Sequence, residues 1–335
     1  EKFTTIYNSD MQLLNVDKPD HQPKATEYVN KMIQAIAKLE DKNYAYNAEG
    51  NLIFDVTKFK NYGQLSSRKK QDQIAGSRVK VSSYKKNPED FILWKPSKEN
   101  EPAWSSPWGM GRPGWHTECF VMATEILGTP FDIHGGGLDL KFPHHENELA
   151  QSCCFKGELK NINSYAKYWM HNGFVTVNAE KMSKSQGNIS LVKDYLKLYD
   201  GEVVRLSLLS AHYRSPLNWS EEILVQSKNR LTKYYKILEQ YKNLFVIETT
   251  KNDIINQMET ALLDDLNISK SLSILDASVK DINKKNIEDK KNIICAIKYF
   301  GKIIGIFSKK SDSFHKKESE NYKAEDINLL IKKRN

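Results

Sequence analysis

Gly111-Arg112-Pro113-Gly114-Trp115-His116-Thr117-Glu118-Cys119, Phe131-Asp132-Ile133-His134-Gly135-Gly136-Gly137-Leu138-Asp139, Pro143-His144-His145-Glu146-Asn147-Glu148 and Lys181-Met182-Ser183-Lys184-Ser185 all lie between residues 111 and 185. Glu118 to Leu127 reads as a helix, and Phe131 to His134 as a short buried strand that ends in three glycines. Pro143 suits the first turn of a following helix that runs to about Cys154, because proline lacks only a donor that is unpaired there anyway. Trp169-Met170-His171 and Phe174 to Val177 then read as strands leading into the lysine loop. Strand, glycine-rich turn, helix, strand is the order of a doubly wound α/β sheet.

Upstream, Pro19 and Pro23 precede a helical repeat at Val29, Met32, Ile33 and Ile36. Tyr44 to Tyr46 and Asn51 to Val56 flank Glu49-Gly50-Asn51 as a hairpin, the turn residues marking the reversal. Phe91 to Lys95 is a strand, and Pro102 to Pro113 a loop rich in Pro, Gly and Trp. Downstream, Leu191 to Leu198 and Glu202 to Tyr213 read as helices, and Pro216 to Trp219 interrupts them. From Glu221 four apolar stripes follow: Leu224, Leu231 and Leu238 with Tyr234 and Tyr241; Ile254, Met258 and Leu262; Leu272, Leu275, Val279 and Ile282; Ile293, Ile297, Phe300 and Ile304. Stripes at helical spacing with polar outer faces describe an all-α helical bundle. Ser308 to Asn321 reads as a solvated linker.

The 335 residues suffice for two or three domains. The longest apolar candidate, Asn292 to Phe307, is broken by Lys298 and Lys302, well short of the ~20 residues a spanning helix needs. No membrane segment is expected. Four cysteines without regular spacing argue against a disulfide framework and for a reducing, cytoplasmic compartment. The net charge of +8 favours a polyanionic partner, although a lysine-rich composition accounts for the same excess.

Cys119, His144 and Glu148 offer sulfur, imidazole and carboxylate. The last two are four residues apart and so project from one helix face. Mixed S/N/O donors suit tetrahedral Zn²⁺. The alternative has Cys119 as a small buried hydrophobe and His144 as a capping residue, and spacing by itself does not choose. Lys181 and Lys184 place two ammonium groups on a loop after a strand, with Gly187 nearby. Such charges can neutralise a departing pyrophosphate.

The Lys-Met-Ser-Lys-Ser pentapeptide matches the second signature of class I aminoacyl-tRNA synthetases. With residues 111–119, 134–139 and 143–148 it resembles the cysteinyl-tRNA synthetase family. The likeness extends through Tyr62-Gly63-Gln64-Leu65-Ser66, Trp94-Lys95, His212-Tyr213-Arg214-Ser215 and Asn218, and weakens past about Asn243. The fold it implies is Rossmann-like α/β, an incomplete class I catalytic half, followed by the helical bundle. The implied layout is a helix and connective region at 1–100, the second catalytic half at 101–185, stem-contact helices at 186–220 and a tRNA and anticodon bundle at 221–335.

The resemblance also implies chemistry. Cys119, His144 and Glu148 become three ligands of one zinc ion per chain. The family's fourth ligand is a cysteine nearer the N-terminus; none precedes Cys119 here, nor does a His-x-Gly-His signature. Trp115 becomes a wall of the amino-acid pocket. His134, Gly136, Asp139 and Lys184 face ATP or the adenylate, and Lys181 and Lys184 serve the phosphates of Mg-ATP. The expected reaction joins L-cysteine to tRNA(Cys) through a cysteinyl-adenylate, in a monomer. Lys309, Lys310, Lys316, Lys317, Lys332, Lys333 and Arg334 become candidate phosphate contacts. Two rivals are a cysteine ligase of the same fold acting on an amino sugar, and a non-catalytic tRNA-binding paralogue.

Overall fold

The computed structural model describes residues 2–67, 83–177, 180–181, 191–244, 246 and 252–309. These divide into two compact units, Asp20–Asn172 on one hand and Glu1–Pro19 with Gly173–Asn335 on the other.

The Asp20–Asn172 unit is built around an antiparallel sheet with strand order β1-β2-β3-β4, comprising β1 (Ala45–Ala48), β2 (Asn51–Phe54), β3 (Phe91–Pro96) and β4 (Gly111–Pro113). The expected hairpin forms, with Ala48 opposite Asn51 and Glu49 and Gly50 at positive φ in the turn. Every residue of β2 is buried, so its run Asn-Leu-Ile-Phe lacks polar alternation. Helix α2 (Val29–Asp41) buries Val29, Met32, Ala35, Ile36 and Leu39 on one face. These pack with Leu52, Phe54, Leu93, Trp94 and Phe120 in one core, each large side chain stabilising the unit by roughly 1.5–3 kcal/mol.

After β4 the chain enters α3 (Trp115–Leu127), which ends at Gly128 with φ +72. Gly114 begins the helix, its N–H donating to Leu93 O at 2.8 Å. A Cβ there would stand 1.9 Å from Ile92 O, so only glycine brings α3 this close to β3. Strand β5 (Phe131–Gly137) then runs parallel to β6 (Ala166–Asn172). Between them lies α4 (Glu146–Lys156). The three glycines continue β5 instead of turning after it, because their extended backbone pairs with Met170, His171 and Asn172. Regular helix begins at Glu146, three residues past Pro143, since Phe142 is extended (φ −143, ψ 133). Parallel pairing in this unit is confined to β5 and β6 among the described residues.

The other unit holds α1 (Lys2–Leu13), a second sheet and a series of helices. In the sheet, β7 (Val175–Val177) lies between β8 (Glu180–Lys181) and β9 (Leu217–Trp219). The segment after Pro216, read as a mere interruption, is thus a strand parallel to β7. Helices α5 (Val192–Leu198) and α6 (Gly201–Leu208) follow the lysine loop, α6 stopping well before Tyr213. From Glu221 to Ile304 the described elements are helical: α7 (Glu221–Gln240), α8 (Asp253–Leu263), α9 (Ile268–Ser278), a short turn at Ile282–Lys284 and α10 (Ile287–Ile304). The last two apolar stripes lie in their core as expected, and in the first Leu224, Leu231 and Tyr234 are buried while Leu238 and Tyr241 are half-buried. In α8 the buried face is Ile255, Met258 and Ala261, with Ile254 and Leu262 only half-buried. No described helix is long and apolar enough to cross a membrane.

Candidate metal centre

Two helix starts and one strand pair in the Asp20–Asn172 unit build the site. On α3, Trp115 and Cys119 are a helical turn apart and share a face. Around the start of α4, His144 and Glu148 repeat that spacing. The β5–β6 register sets Asp132 and Lys167 in an ion pair at 2.8 Å, His134 opposite Trp169, and Gly136 opposite His171. Five of the chain's eight histidines thereby gather in one place: 116, 134, 144, 145 and 171.

The donor atoms of Cys119, His144 and Glu148 lie within 4.8 Å of one another, and those of His134, His145 and Glu148 do likewise. Glu148 is fully buried and common to both sets. His144 Nε2 stands 2.9 Å from Glu148 Oε1. Yet that oxygen has no properly directed hydrogen bond among the described residues. Two buried metal-donor atoms this close without a directed hydrogen bond are compatible with a shared cation position. The other carboxylate oxygen, Oε2, accepts from Tyr165 OH at 2.8 Å and has His134 Nε2 at 3.2 Å.

The electrostatics agree. Burial raises the Glu148 carboxyl, but His134 and His144 outweigh it and hold the group at about 2. The Glu148 carboxylate is therefore ionised at neutral pH. Burial, with the nearby Glu148 and Glu118 charges, pushes the Cys119 thiol up to about 12. A thiolate at this position needs a cation beside it, which the donor set is suited to hold. Burial lowers His116 to about 4 and His145 to about 3, so both rings are neutral at physiological pH. His116 Nδ1 lies 2.9 Å from His144 Nδ1. With His116 neutral, one of these two nitrogens donates and the other accepts.

Trp115 is 57% exposed and stacks on His144 with ring centroids 4.1 Å apart. It roofs the donors while keeping one face open. Gly136 is crowded: a Cβ there would lie 2.9 Å from His145 Cε1, whose Nδ1 is 2.8 Å from His171 Nε2. Asp139 is exposed on the turn Leu138–Leu140 and folds back over Gly137. Lys181 has its backbone in β8, opposite Thr176. Lys184 and the rest of the lysine loop lie outside the described residues, as do Lys310, Lys316, Lys317, Lys332, Lys333 and Arg334. Lys309 is engaged by Asp200.

The sequence reading assigned no role to His116, His145, His171 or Tyr165. The first two adjoin assigned residues and could have been included. His171 and Tyr165 are brought in by parallel strand pairing, which leaves no mark in local spacing.

A family model for the catalytic domain of class I tRNA synthetases (C) matches residues 1–229. The chain is 44% identical over 335 aligned residues to the cysteine–tRNA ligase of Pelagibacter ubique strain HTCC1062, covering 98% of this chain and 70% of that protein. This chain belongs to the cysteine–tRNA ligases. That enzyme family is one of the class I synthetases, and a second member, from Parvibaculum lavamentivorans, is 47% identical over 307 residues, 91% of this chain and 64% of its own length. The chain thus spans roughly two thirds of these cysteine–tRNA ligases. A solved structure assigned as an arginyl-tRNA synthetase from Campylobacter jejuni shares the fold, with a TM-score of 0.61, 13% identity and coverage of 92% of this chain and 68% of that one.

Proposed function

We propose that this chain carries the amino-acid-selecting centre of an enzyme that ligates L-cysteine to tRNA(Cys), with zinc held by Cys119, His144 and Glu148. The observation that carries this reading is the gathering of those three donors within 4.8 Å of one another, with Glu148 Oε1 lacking a directed hydrogen bond among the described residues. When bound, zinc supplies a soft Lewis acid that holds a substrate thiolate far better than a serine hydroxyl. Recognition of so distinctive a group removes the need for a separate editing step.

The chain's own residues prepare that centre. Glu148 brings a fixed negative charge, and Cys119 a thiol that ionises only when a cation is present. His144, offering Nε2 to the ion, keeps its proton on Nδ1 and donates it to His116 Nδ1; the proton of His116 then sits on Nε2. Trp115 covers the bound side chain and excludes water. We assign His134, midway along β5, Gly136 near its carboxyl end and Asp139 just beyond it to ATP and the adenylate, since α/β folds bind nucleotides at that end. Lys181 and Lys184 are assigned to the phosphates by their motif. The cysteine carboxylate attacks the α-phosphate of Mg-ATP, pyrophosphate leaves, and the acyl group passes to the terminal ribose of the tRNA. Positioning and fixed positive charge supply most of the acceleration.

In this reading the Asp20–Asn172 unit contributes part of a Rossmann-like catalytic half, of which β5, α4 and β6 form one β-α-β step. Residues 186–220 face the tRNA stem, and the helices from 221 onward its anticodon, in a cytoplasmic monomer. Elemental analysis of the full-length protein tests the centre. One zinc per chain is expected, lost in Cys119→Ala, with cysteine-dependent but not serine-dependent pyrophosphate exchange. A metal-free active protein, or serine activated as readily as cysteine, would overturn the reading.

A further inference from the structure

We propose that Tyr165 is a positioning residue that makes Glu148 a one-oxygen ligand, and so keeps a coordination position free for the substrate's sulfur. The inference rests on the zinc reading above and adds a specificity role for a residue outside the ligand set.

The two oxygens of Glu148 have different surroundings. Oε1 faces His144 Nε2 at 2.9 Å and lacks a directed hydrogen bond among the described residues. Oε2 accepts from Tyr165 OH at 2.8 Å and is approached by His134 Nε2 at 3.2 Å. A carboxylate that is free on both oxygens can grip a cation with both. One whose second oxygen is committed to a buried hydroxyl gives the ion a single donor. Tyr165 is suited to this task because it cannot move away. It is fully buried immediately before β6, and its ring packs edge-on against Phe131 (4.9 Å) and Phe120 (6.3 Å). The Tyr165 C=O is fixed as well, accepting from Phe131 N at 3.2 Å.

The hydroxyl donates directly to Oε2 at 2.8 Å from within a fully buried ring. Outer-shell hydrogen bonds to metal ligands commonly change affinity or activity by ~10–100-fold. Here the change should fall on the substrate, because removal of the hydroxyl lets Glu148 occupy a second position with Oε2.

The test uses the full-length protein with cobalt(II) replacing zinc, comparing wild type with Tyr165→Phe. The control is Tyr234→Phe, which removes a hydroxyl bonded to Asp276 at 2.6 Å in the other unit. Tyr165→Phe should still bind one metal per chain, but with weaker ligand-field absorption in the absence of substrate, as coordination number rises. Titration with cysteine, followed by the sulfur-to-cobalt charge-transfer band, should show affinity reduced about tenfold. In pyrophosphate exchange the KM for cysteine should rise while the KM for ATP stays unchanged, and Tyr234→Phe should alter none of these. Should Tyr165→Phe fail to fold, X-ray absorption on the wild-type zinc protein decides: a carboxylate bound through two oxygens would sink the proposal. So would unchanged cobalt spectra and cysteine affinity in a folded Tyr165→Phe. If wild type itself takes up no metal, or shows no charge-transfer band with cysteine, the zinc reading fails, and that result is distinct from either.

Discussion

At Gly136 the absence of a side chain is a spatial requirement. Because a Cβ would lie 2.9 Å from His145 Cε1 and 3.1 Å from Leu140 Cδ1, Gly136→Ala should push His145 away from His171. The expected cost is about 1–3 kcal/mol, typical of overpacking, read as a lower denaturant midpoint with unchanged slope. Zinc content should survive, since Gly136 touches none of the three proposed ligands. Cys119→Ser should differ: stability changes little, but a hard hydroxyl replaces sulfur and metal retention against a chelator falls. At this scale the sequence was informative where chemistry follows helical spacing. His144 and Glu148 are four apart, and the structure brings Cys119 to them. It was silent on Tyr165 and His171, whose place depends on Phe131 pairing with Ala166 and Gly136 with His171. That register is a tertiary fact.

Among the elements, those with long periodic patterns were legible and the short ones were not. The β1–β2 hairpin declared itself through Glu49-Gly50. Strand β9 has only Leu217, Asn218 and Trp219, directly after a proline, and its pairing with β7 could not be read locally. The turn between α8 and α9 was equally hidden. Asp265 and Leu266 both sit at φ +55 there, a conformation that non-glycine residues adopt only when held. Arg214 holds this turn through two bonds to Asp265, at 2.5 and 3.0 Å, and Tyr213 OH adds a third at 2.6 Å. Arg214 first, then Tyr213, keeps the Asp265 carboxyl at about 2. The native pKa lies below the ordinary 3.8, so the contribution is complete above that value and is lost as pH falls through about 2. The difference in melting temperature between wild type and Arg214→Ala should therefore be constant from pH 5 to 8 and shrink only below about pH 4.

For the whole molecule, each unit has its own core, and this was only partly legible. The helices after Glu221 were anticipated. The assignment of residues 1–19 to the same unit as those helices was not, because it depends on Arg205, whose guanidinium donates to Leu14 O at 2.9 Å and to Ile304 O at 2.6 Å. Two cores imply two separable responses. Five of the six tryptophans lie in Asp20–Asn172 and only Trp219 in the other unit. Fluorescence-detected unfolding should accordingly shift upward with added zinc, by about 2.7 kcal/mol at a hundredfold excess over Kd. Leu275→Ala, in the fully buried core of α9, should cost about 2–5 kcal/mol. It should lower the helical circular-dichroism transition and leave the zinc response intact.

Helix α4 is buried at every residue from Glu146 to Cys154, though five of those nine residues are polar. Glu146 accepts from Gly63 N and Ser66 N, Asn147 from Tyr62 OH, Gln151 from Thr117 OH, and Glu148 from Tyr165 OH at the proposed metal centre. Such a helix has no solvent side on which drift can accumulate. Each neighbour it contacts limits what its sequence can become, and its amides can meet deuterium only when the surrounding unit opens. Slow exchange along 146–154 and intolerance of substitution would then share one origin: this helix is the interior around which the rest of its unit is wrapped.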